Sequence, residues 1–258
     1  MGWRIHVLGS GTALPSAGRD NTYLALEAGA ESWLVDCGSA PFQRLLQAGL
    51  APLTLRGVVL THAHPDHIYG LPILLFQLSL AGYRDVLRVY GLAETLQVAQ
   101  RIVTAFELAE HCVSHAWHAL LPGGDITIGA AVGSTGSIQV HEVQHSRPAV
   151  GVRITAPGGG VAAYSGDTQP CPGVVELARG AGWLLHECTT PRPFAGHSTP
   201  EEVGRTALEA GAARLGIVHY DPLYILGQEE LVARVRGTGF AGEVRVMQDM
   251  DVVELAGP

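Results

Sequence analysis

The sequence predicts a layered α/β sandwich, one domain spanning residues 1–258, and three observations predict it. Short apolar runs of strand length alternate with segments of helical period along the whole chain. Glycine supplies 33 of the 258 residues and apolar residues make up 47%, enough for a sizeable core joined by many tight turns. No repeat, linker or low-complexity tract divides the chain. Two strand-rich halves, each followed by helices, then bury their sheet faces in layers.

Arg4–Leu8, Tyr23–Leu26 and Trp33–Asp36 read as strands. A helix follows with Phe42, Leu45 and Leu46 on one face and Gly49 near its end. The apolar run Gly57-Val58-Val59-Leu60 reads as a buried strand, and an apolar helix extends through about Leu80. Val86–Tyr90 is strand-like and Ala93–Leu108 helical. From Asp125 to Ser165 strands return, punctuated by Gly and Pro. Val174–Arg179 looks helical and Trp183–His186 extended. Thr199-Pro200-Glu201-Glu202 starts a helix, with Thr as cap, Pro in the first turn and Glu closing a capping box. Arg214–Val218 is a strand, Glu229–Arg236 a helix and Val244–Leu255 a closing strand region.

Composition narrows the function. The formal charge is −8 with 16 Lys plus Arg, against a broad electrostatic footprint for nucleic acid, which needs basic residues to meet phosphates. The cysteines Cys37, Cys112, Cys171 and Cys188 lie far apart with no C-x-x-C pair, so neither a zinc ribbon nor a disulfide framework is expected. The first residues lack the charged head and long apolar centre of a signal peptide. Leu71–Leu80 is too short to span a bilayer. A soluble cytoplasmic protein without membrane contact is the expectation.

Chemistry concentrates in Thr61-His62-Ala63-His64-Pro65-Asp66-His67, directly after the predicted buried strand. Three imidazoles and a carboxylate at this density are not explained by packing, and they are ligand types that suit zinc and similar transition metals. One cluster cannot complete two metal shells. His145 after Ile138–Val143, Asp167 after Val161–Ser165 and His219 after Leu215–Val218 share its placement, each at the end of an apolar run, where strands can converge on one cleft.

Together these pieces resemble the metallo-β-lactamase superfamily, and within it the RNase Z-type phosphodiesterase branch. The matching segments are Leu8-Gly9-Ser10-Gly11-Thr12-Ala13-Leu14-Pro15, Val35-Asp36-Cys37-Gly38, the His cluster with Gly70-Leu71-Pro72, His145, Tyr164-Ser165-Gly166-Asp167-Thr168, Gly196-His197-Ser198-Thr199 and Ile217-Val218-His219. The resemblance implies a four-layer αβ/βα sandwich and two divalent metal ions, with zinc the first choice and manganese or iron also suited. It implies His62, His64 and His145 on one metal, Asp66, His67 and His219 on the other, and Asp167 bridging both. Two adjacent cations lower the pKa of a bridging water, so that hydroxide exists near neutral pH and attacks the ester. Asp66 would orient that water, His197 would reach the scissile phosphate without holding metal, and Glu187 would orient His197. By analogy with related enzymes, a homodimer is also expected.

Other histidines fit less well. Glu110-His111-Cys112-Val113-Ser114-His115-Ala116-Trp117-His118 could bring Cys112, His111 and His115 to one helical face, but nothing in the branch pattern matches it, and a cleft rim or solvated surface is the reading preferred. His141 precedes the better-matched His145, and His6 and His186 read as structural.

Departures from the branch pattern bear on substrate. Asp167 follows His145 by only 22 positions, room for one hairpin turned by Pro157-Gly158-Gly159-Gly160. Transfer-RNA-maturing members usually carry a long RNA-gripping arm there. The early loop Pro15–Asn21 holds one basic residue, Arg19, and Arg147 and Arg192 are the cations nearest to matched motifs. A small phosphodiester or short oligonucleotide is therefore the expected substrate. A transfer-RNA 3′-end endonuclease is the alternative, ahead of a lactone, thioester or sulfate-ester hydrolase or a non-catalytic binding subunit.

Overall fold

The computed structural model describes residues 2–108, 111–129 and 135–255. Glu110 and residues 130–134, within segments considered above, lie outside it. Two seven-stranded sheets stack face to face. The first has the order β14-β1-β2-β3-β4-β5-β6 and the second β13-β12-β11-β10-β9-β8-β7. Strands β1 (Trp3–Gly9), β2 (Tyr23–Ala28) and β3 (Glu31–Val35) form an antiparallel meander. Then β4 (Leu55–Val59), β5 (Leu87–Gly91) and β6 (His115–Ala119) join in parallel. The second sheet repeats the logic. Antiparallel β7 (Asp125–Ile128), β8 (Gly136–Val143), β9 (Ala149–Thr155) and β10 (Val161–Tyr164) lead into parallel β11 (Trp183–Glu187), β12 (Arg214–Val218) and β13 (Glu243–Val246).

Three apolar clusters mark the three interfaces of a four-layer α/β/β/α sandwich. Between the sheets lie Ile5, Val7, Leu26 and Val59 against Ile138, Val152, Tyr164 and Leu185. Outside the first sheet, Leu34, Val58 and Val89 pack on α3 (Leu71–Leu80) and α4 (Ala93–Ala105) through Leu71, Leu74, Leu78, Leu96 and Ala99. Outside the second, Leu184, Leu215 and Ile217 meet α5 (Pro172–Ala178), α6 (Pro200–Ala210) and α7 (Gln228–Arg236) through Leu177, Val203, Ala207 and Leu231. Strands covered on both faces read as continuous apolar runs, which is why β4 and β12 stand out in the sequence.

The predicted α6 start is present in full. Thr199 Oγ1 accepts from Glu202 N, the Glu202 carboxylate accepts from Thr199 N at 2.8 Å, and Gly211 closes the helix at φ +65°.

Two local expectations need correction, and a helical face that the sequence allowed over 110–118 does not form. In α1 (Pro41–Gln47), Leu45 is buried and Phe42 partly so, but Leu46 is exposed, because only the stripe through Phe42 and Leu45 faces α3. The described part of 110–118 is not helical. Val113 N bonds back to Leu75 O, and His115 opens the edge strand β6 beside β5, where Tyr90 stacks on His118. Finally, Val244–Leu255 is not one strand region. It holds β13 in the second sheet and β14 (Val252–Leu255) in the first, separated by a turn at Gln248–Asp251 that lets the chain cross between layers and pair Ile5 with Val253.

Candidate metal centre

The predicted residues converge at the carboxyl ends of parallel strands from both sheets, where open α/β sheets place their crevices. From the first sheet, the segment after β4 supplies His62 and His64, and α2 (Pro65–Ile68) supplies Asp66 and His67. His64 is the extended N-cap of this one-turn helix and Pro65 its first residue, so the chain turns sharply between the two pairs. From the second sheet, His145 lies between β8 and β9, Asp167 follows β10 and His219 follows β12.

Two adjacent groups result. In one, His62 Nε2 and His145 Nε2 lie 2.9 and 3.0 Å from His64 Nδ1, and 3.9 and 4.0 Å from Asp167 Oδ2. In the other, Asp66 Oδ2 lies 3.3 Å from His67 Nε2 and 3.5 Å from His219 Nε2. Asp167 also approaches this second group, with Oδ1 3.5 Å from His67 Nε2 and Oδ2 3.6 Å from His219 Nε2. Among the described residues it is the one carboxylate within reach of both.

Outer hydrogen bonds set the ring tautomers. His67 Nδ1–H donates to Asp36 Oδ2 at 2.8 Å, and His145 Nδ1–H donates to Gly196 O at 2.7 Å. Thr61 Oγ1 gives its proton to Asp36, so it accepts from His62 Nδ1–H at 3.1 Å. Thr189 Oγ1 likewise donates to Glu187 Oε2 at 2.6 Å and accepts from His219 Nδ1–H at 2.8 Å. Each bond leaves a bare Nε2 lone pair turned inward, the form that binds metal. Acceptors therefore face acceptors. His67 Nε2 and Asp167 Oδ1 are buried with no hydrogen-bond partner. A buried polar atom without a partner is costly, and a cation satisfies this whole set at once. Nitrogen atoms about 3.3 Å apart are what tetrahedral zinc at about 2.0 Å requires, close to the spacing of the three-histidine group. The donor set fits divalent metal, and this is a metal-binding centre.

Electrostatics agree. Burial, reinforced by neighbouring imidazoles, lowers His62 and His64 below the ordinary histidine value, and burial also lowers His145, so this group is neutral and free to ligate. Burial would also lower His67 and His219, but Asp167, with Asp36 or Asp66, outweighs it and raises both. Burial opposes ionisation of Asp66 and Asp167 too, yet the surrounding imidazoles hold both carboxyls well below their usual range. Without metal the second group thus favours protons on His67 and His219, and a cation that binds there takes their place on Nε2.

His197 stands beside these groups. Its Nδ1–H donates to Glu187 Oε1 at 3.0 Å, and Glu187 raises it against the lowering effect of burial. Glu187 is fully buried and accepts from Thr168 N, Ser198 N and Thr189 N as well. The predicted Glu187–His197 pair is present, and through Thr189 the same carboxylate also reaches His219. His197 comes close enough to Asp167 and His219 to complete a third donor group with them, but both of those already serve the two groups above. A tight turn carries His197, whose N–H donates to Phe194 O, with Gly196 at φ +90°. A Cβ on Gly196 would meet His145 Nδ1 at 3.0 Å. Glycine is therefore required there both for the turn and for the contact with His145.

A cleft of about 540 Å³ opens over the centre, lined by Thr12, Ala13, Leu14, His64, Asp66, Asp167, Thr189, His197, His219, Tyr224 and Ile225. Ahead of Thr12 in the chain, a Cβ at Gly9 would overlap Asn21 O, so only glycine fits there. A separate hollow of about 460 Å³ between α5 and α6 contains no candidate site residue.

Several predicted neighbours do not join the centre. Arg19 is buried, donating to Ser10 Oγ and Met247 O over the Tyr220 ring, so it is a structural residue and not a substrate cation. His141 lies on the α5 side of β8, and His6 pairs with Glu27. His115 bonds Val113 O, and its 3.8 Å approach to Cys112 Sγ brings no further ligand among the described residues. Conversely, sequence reasoning gave no role to Asp36, Thr61 or Thr189, which orient three of the rings. The Asp36-Cys37-Gly38 segment was the available signal for the first.

Residues 32–220 match the family model of the β-lactamase superfamily domain. Ribonuclease Z of Mycolicibacterium paratuberculosis is 30% identical over 277 residues, covering 98% of this chain and 99% of the relative. Ribonuclease Z of Mycobacterium tuberculosis is 31% identical over 271 residues, covering 97% of each. Among solved structures, the metallo-beta-lactamase fold protein YhfI of Bacillus subtilis superposes at TM-score 0.82 with 24% identity, over 98% of this chain and 100% of that one. The short form of human tRNase Z superposes at TM-score 0.77 with 23% identity, over 98% and 99%. Likeness at that identity shows a shared fold.

Proposed function

This chain belongs to the metallo-β-lactamase superfamily, in its ribonuclease Z-like branch, and on that footing we propose that it is a two-metal phosphodiesterase acting on a small phosphodiester. The observation that carries the reading is the pairing of two donor groups, sharing Asp167, with an oriented His197 on the same cleft. His62, His64 and His145 would hold one divalent ion and Asp66, His67 and His219 the other, with Asp167 the carboxylate shared by the two groups. Zinc suits the nitrogen-rich group best. Bound there, the ions would acidify water and neutralise charge building at phosphorus.

The chain's own residues do the rest. Asp66 accepts a hydrogen bond from the attacking water and aims its lone pair. His197, held by Glu187 through Nδ1, offers Nε2 to the phosphate or to the departing oxygen, and Glu187 stabilises the imidazolium that this proton requires. Thr189 keeps His219 in the ligating tautomer from the same carboxylate.

A second reading, cleavage of precursor transfer RNA, rests on one observation. Relatives named ribonuclease Z align with this chain over nearly their full length. Against it stand the charge of −8 and the structural use of Arg19. The test is turnover of bis(p-nitrophenyl) phosphate by protein carrying two metals per chain. Absence of turnover refutes the phosphodiesterase reading, and cleavage of precursor transfer RNA at rates comparable to small diesters establishes the second.

A further inference from the structure

The rim of the cleft is apolar where its floor is charged. Leu14, Phe194, Leu223 and Tyr224 are 59%, 65%, 73% and 49% exposed, on loops that also carry site residues. Large apolar side chains gathered at one polar crevice mark a surface that something covers. Phe194 is placed with the most definition. The turn that bonds His197 N to Phe194 O fixes the two residues to each other. Their rings lie 6.2 Å apart at 23°, and His197 in turn lies 6.0 Å from His219 at 15°. A column of near-parallel rings thus runs outward from the metal centre and ends in an exposed phenyl. Of the four, Tyr224 and Leu14 line the cleft itself.

Charge limits what can lie there. Arg19 is buried and internally bonded, and Arg44 is engaged by Asp20 and Asp249. Arg147 and Arg192 are exposed on the loops that carry His145 and His197, and suit the charge of the phosphate itself. Recognition beyond the reacting phosphate therefore has flat apolar rings available and little cationic surface. A nucleobase, linked to its phosphate through one sugar, offers a π-face to such a ring and needs no counter-charge.

We infer that Phe194, with Tyr224, is a specificity residue that stacks the base of a nucleotide phosphodiester, so that base-bearing diesters are preferred over bare sugar or alkyl diesters. This rests on the phosphodiesterase reading above and deepens it.

The experiment compares 2′,3′-cyclic AMP with glycerol 1,2-cyclic phosphate, two five-membered cyclic diesters that differ by the nucleoside, using metal-loaded protein and phosphorus NMR. Wild type is expected to favour the nucleotide by about tenfold or more in kcat/KM, the size of one base–aromatic stack. Phe194→Ala should bring the ratio toward one, mainly through KM. Phe194→Trp should keep or raise it, which a merely structural role would not do, and Tyr224→Ala should lower it. Equal use of the two substrates by wild type, or a ratio untouched by Phe194→Ala, overturns the inference and leaves the phosphodiesterase reading standing. No turnover of either substrate, nor of bis(p-nitrophenyl) phosphate, overturns both.

Discussion

Asp36→Asn isolates the effect of ring orientation on metal affinity. Asp36 is fully buried at φ +65°, a conformation that Asn tolerates well, so the backbone has no reason to move. Its Oδ1 accepts from Thr61 N at 2.8 Å and from Thr61 Oγ1 at 2.9 Å, and the amide oxygen of Asn can keep both. The new NH2 group then occupies the place of Oδ2, 2.8 Å from His67 Nδ1–H, donor against donor. The ring relieves this by moving its proton to Nε2, which removes the lone pair facing Asp66 and Asp167. Outer-partner changes of this kind cost about 10- to 100-fold in metal affinity, or about 1.4–2.7 kcal/mol. Competition against a chromophoric chelator should show one weakened ion, held by Asp66, His67 and His219, and one retained. Circular dichroism and melting of the metal-free variant separate that effect from misfolding. Unchanged affinity for both ions in a folded Asp36→Asn protein would refute the tautomer reasoning.

His197→Ala should keep both metals, counted by elemental analysis, and lose most phosphodiesterase activity; equal loss of metal means that His197 is a ligand. Asp167→Ala should instead disrupt binding of both ions, and unchanged metal content contradicts its bridging role. Gly196→Ala puts a Cβ 3.0 Å from His145 Nδ1 at φ +90° and should cost about 1–3 kcal/mol, visible as a lower Tm and weaker metal binding. The metal-free protein should lose stability in acid. Burial opposes ionisation of Asp66, but bonds from His219 and His67 keep its folded pKa below the unfolded value of about 3.9. That contribution is present above the unfolded pKa and is lost as pH falls through the folded one. Denaturation from pH 6 to pH 2 should show the loss, reduced in Asp66→Asn.

Much of the centre is legible in the sequence because the ligands are local. His62 to His67 form one run after one strand, and His145, Asp167 and His219 each end an apolar run. Parallel strands align those ends in space, so strand-end position is enough to bring them together. Partners that act across the fold are harder to read. Asp36 bonds His67 from 31 positions away, because β3 and β4 pair in parallel and end level. Thr189 acts on His219 at a separation of 30, through the same arrangement of β11 and β12. Thr189 has no local pattern that distinguishes it from an ordinary loop residue, and Asp36 is marked only by the matching segment Val35-Asp36-Cys37-Gly38. After Glu110, His and Cys spacing allows a helical face, yet pairing with β5 extends the chain from His115 onward. Arg19 looks like a loop cation until the contacts to Ser10 and Met247 show it turned inward.

The centre draws its donors from both sheets, His62, His64, Asp66 and His67 from one and His145, Asp167 and His219 from the other. Any cation held there is also a cross-link between the halves of the sandwich. Peeling the sheets apart must break that link together with the apolar cluster that includes Val59 and Tyr164. Occupancy is then written into the stability of the protein: each bound ion adds to it in proportion to the logarithm of ion concentration over Kd. A chelator should loosen the sandwich at the mouth of its own cleft, where the carboxyl ends of the two sheets meet.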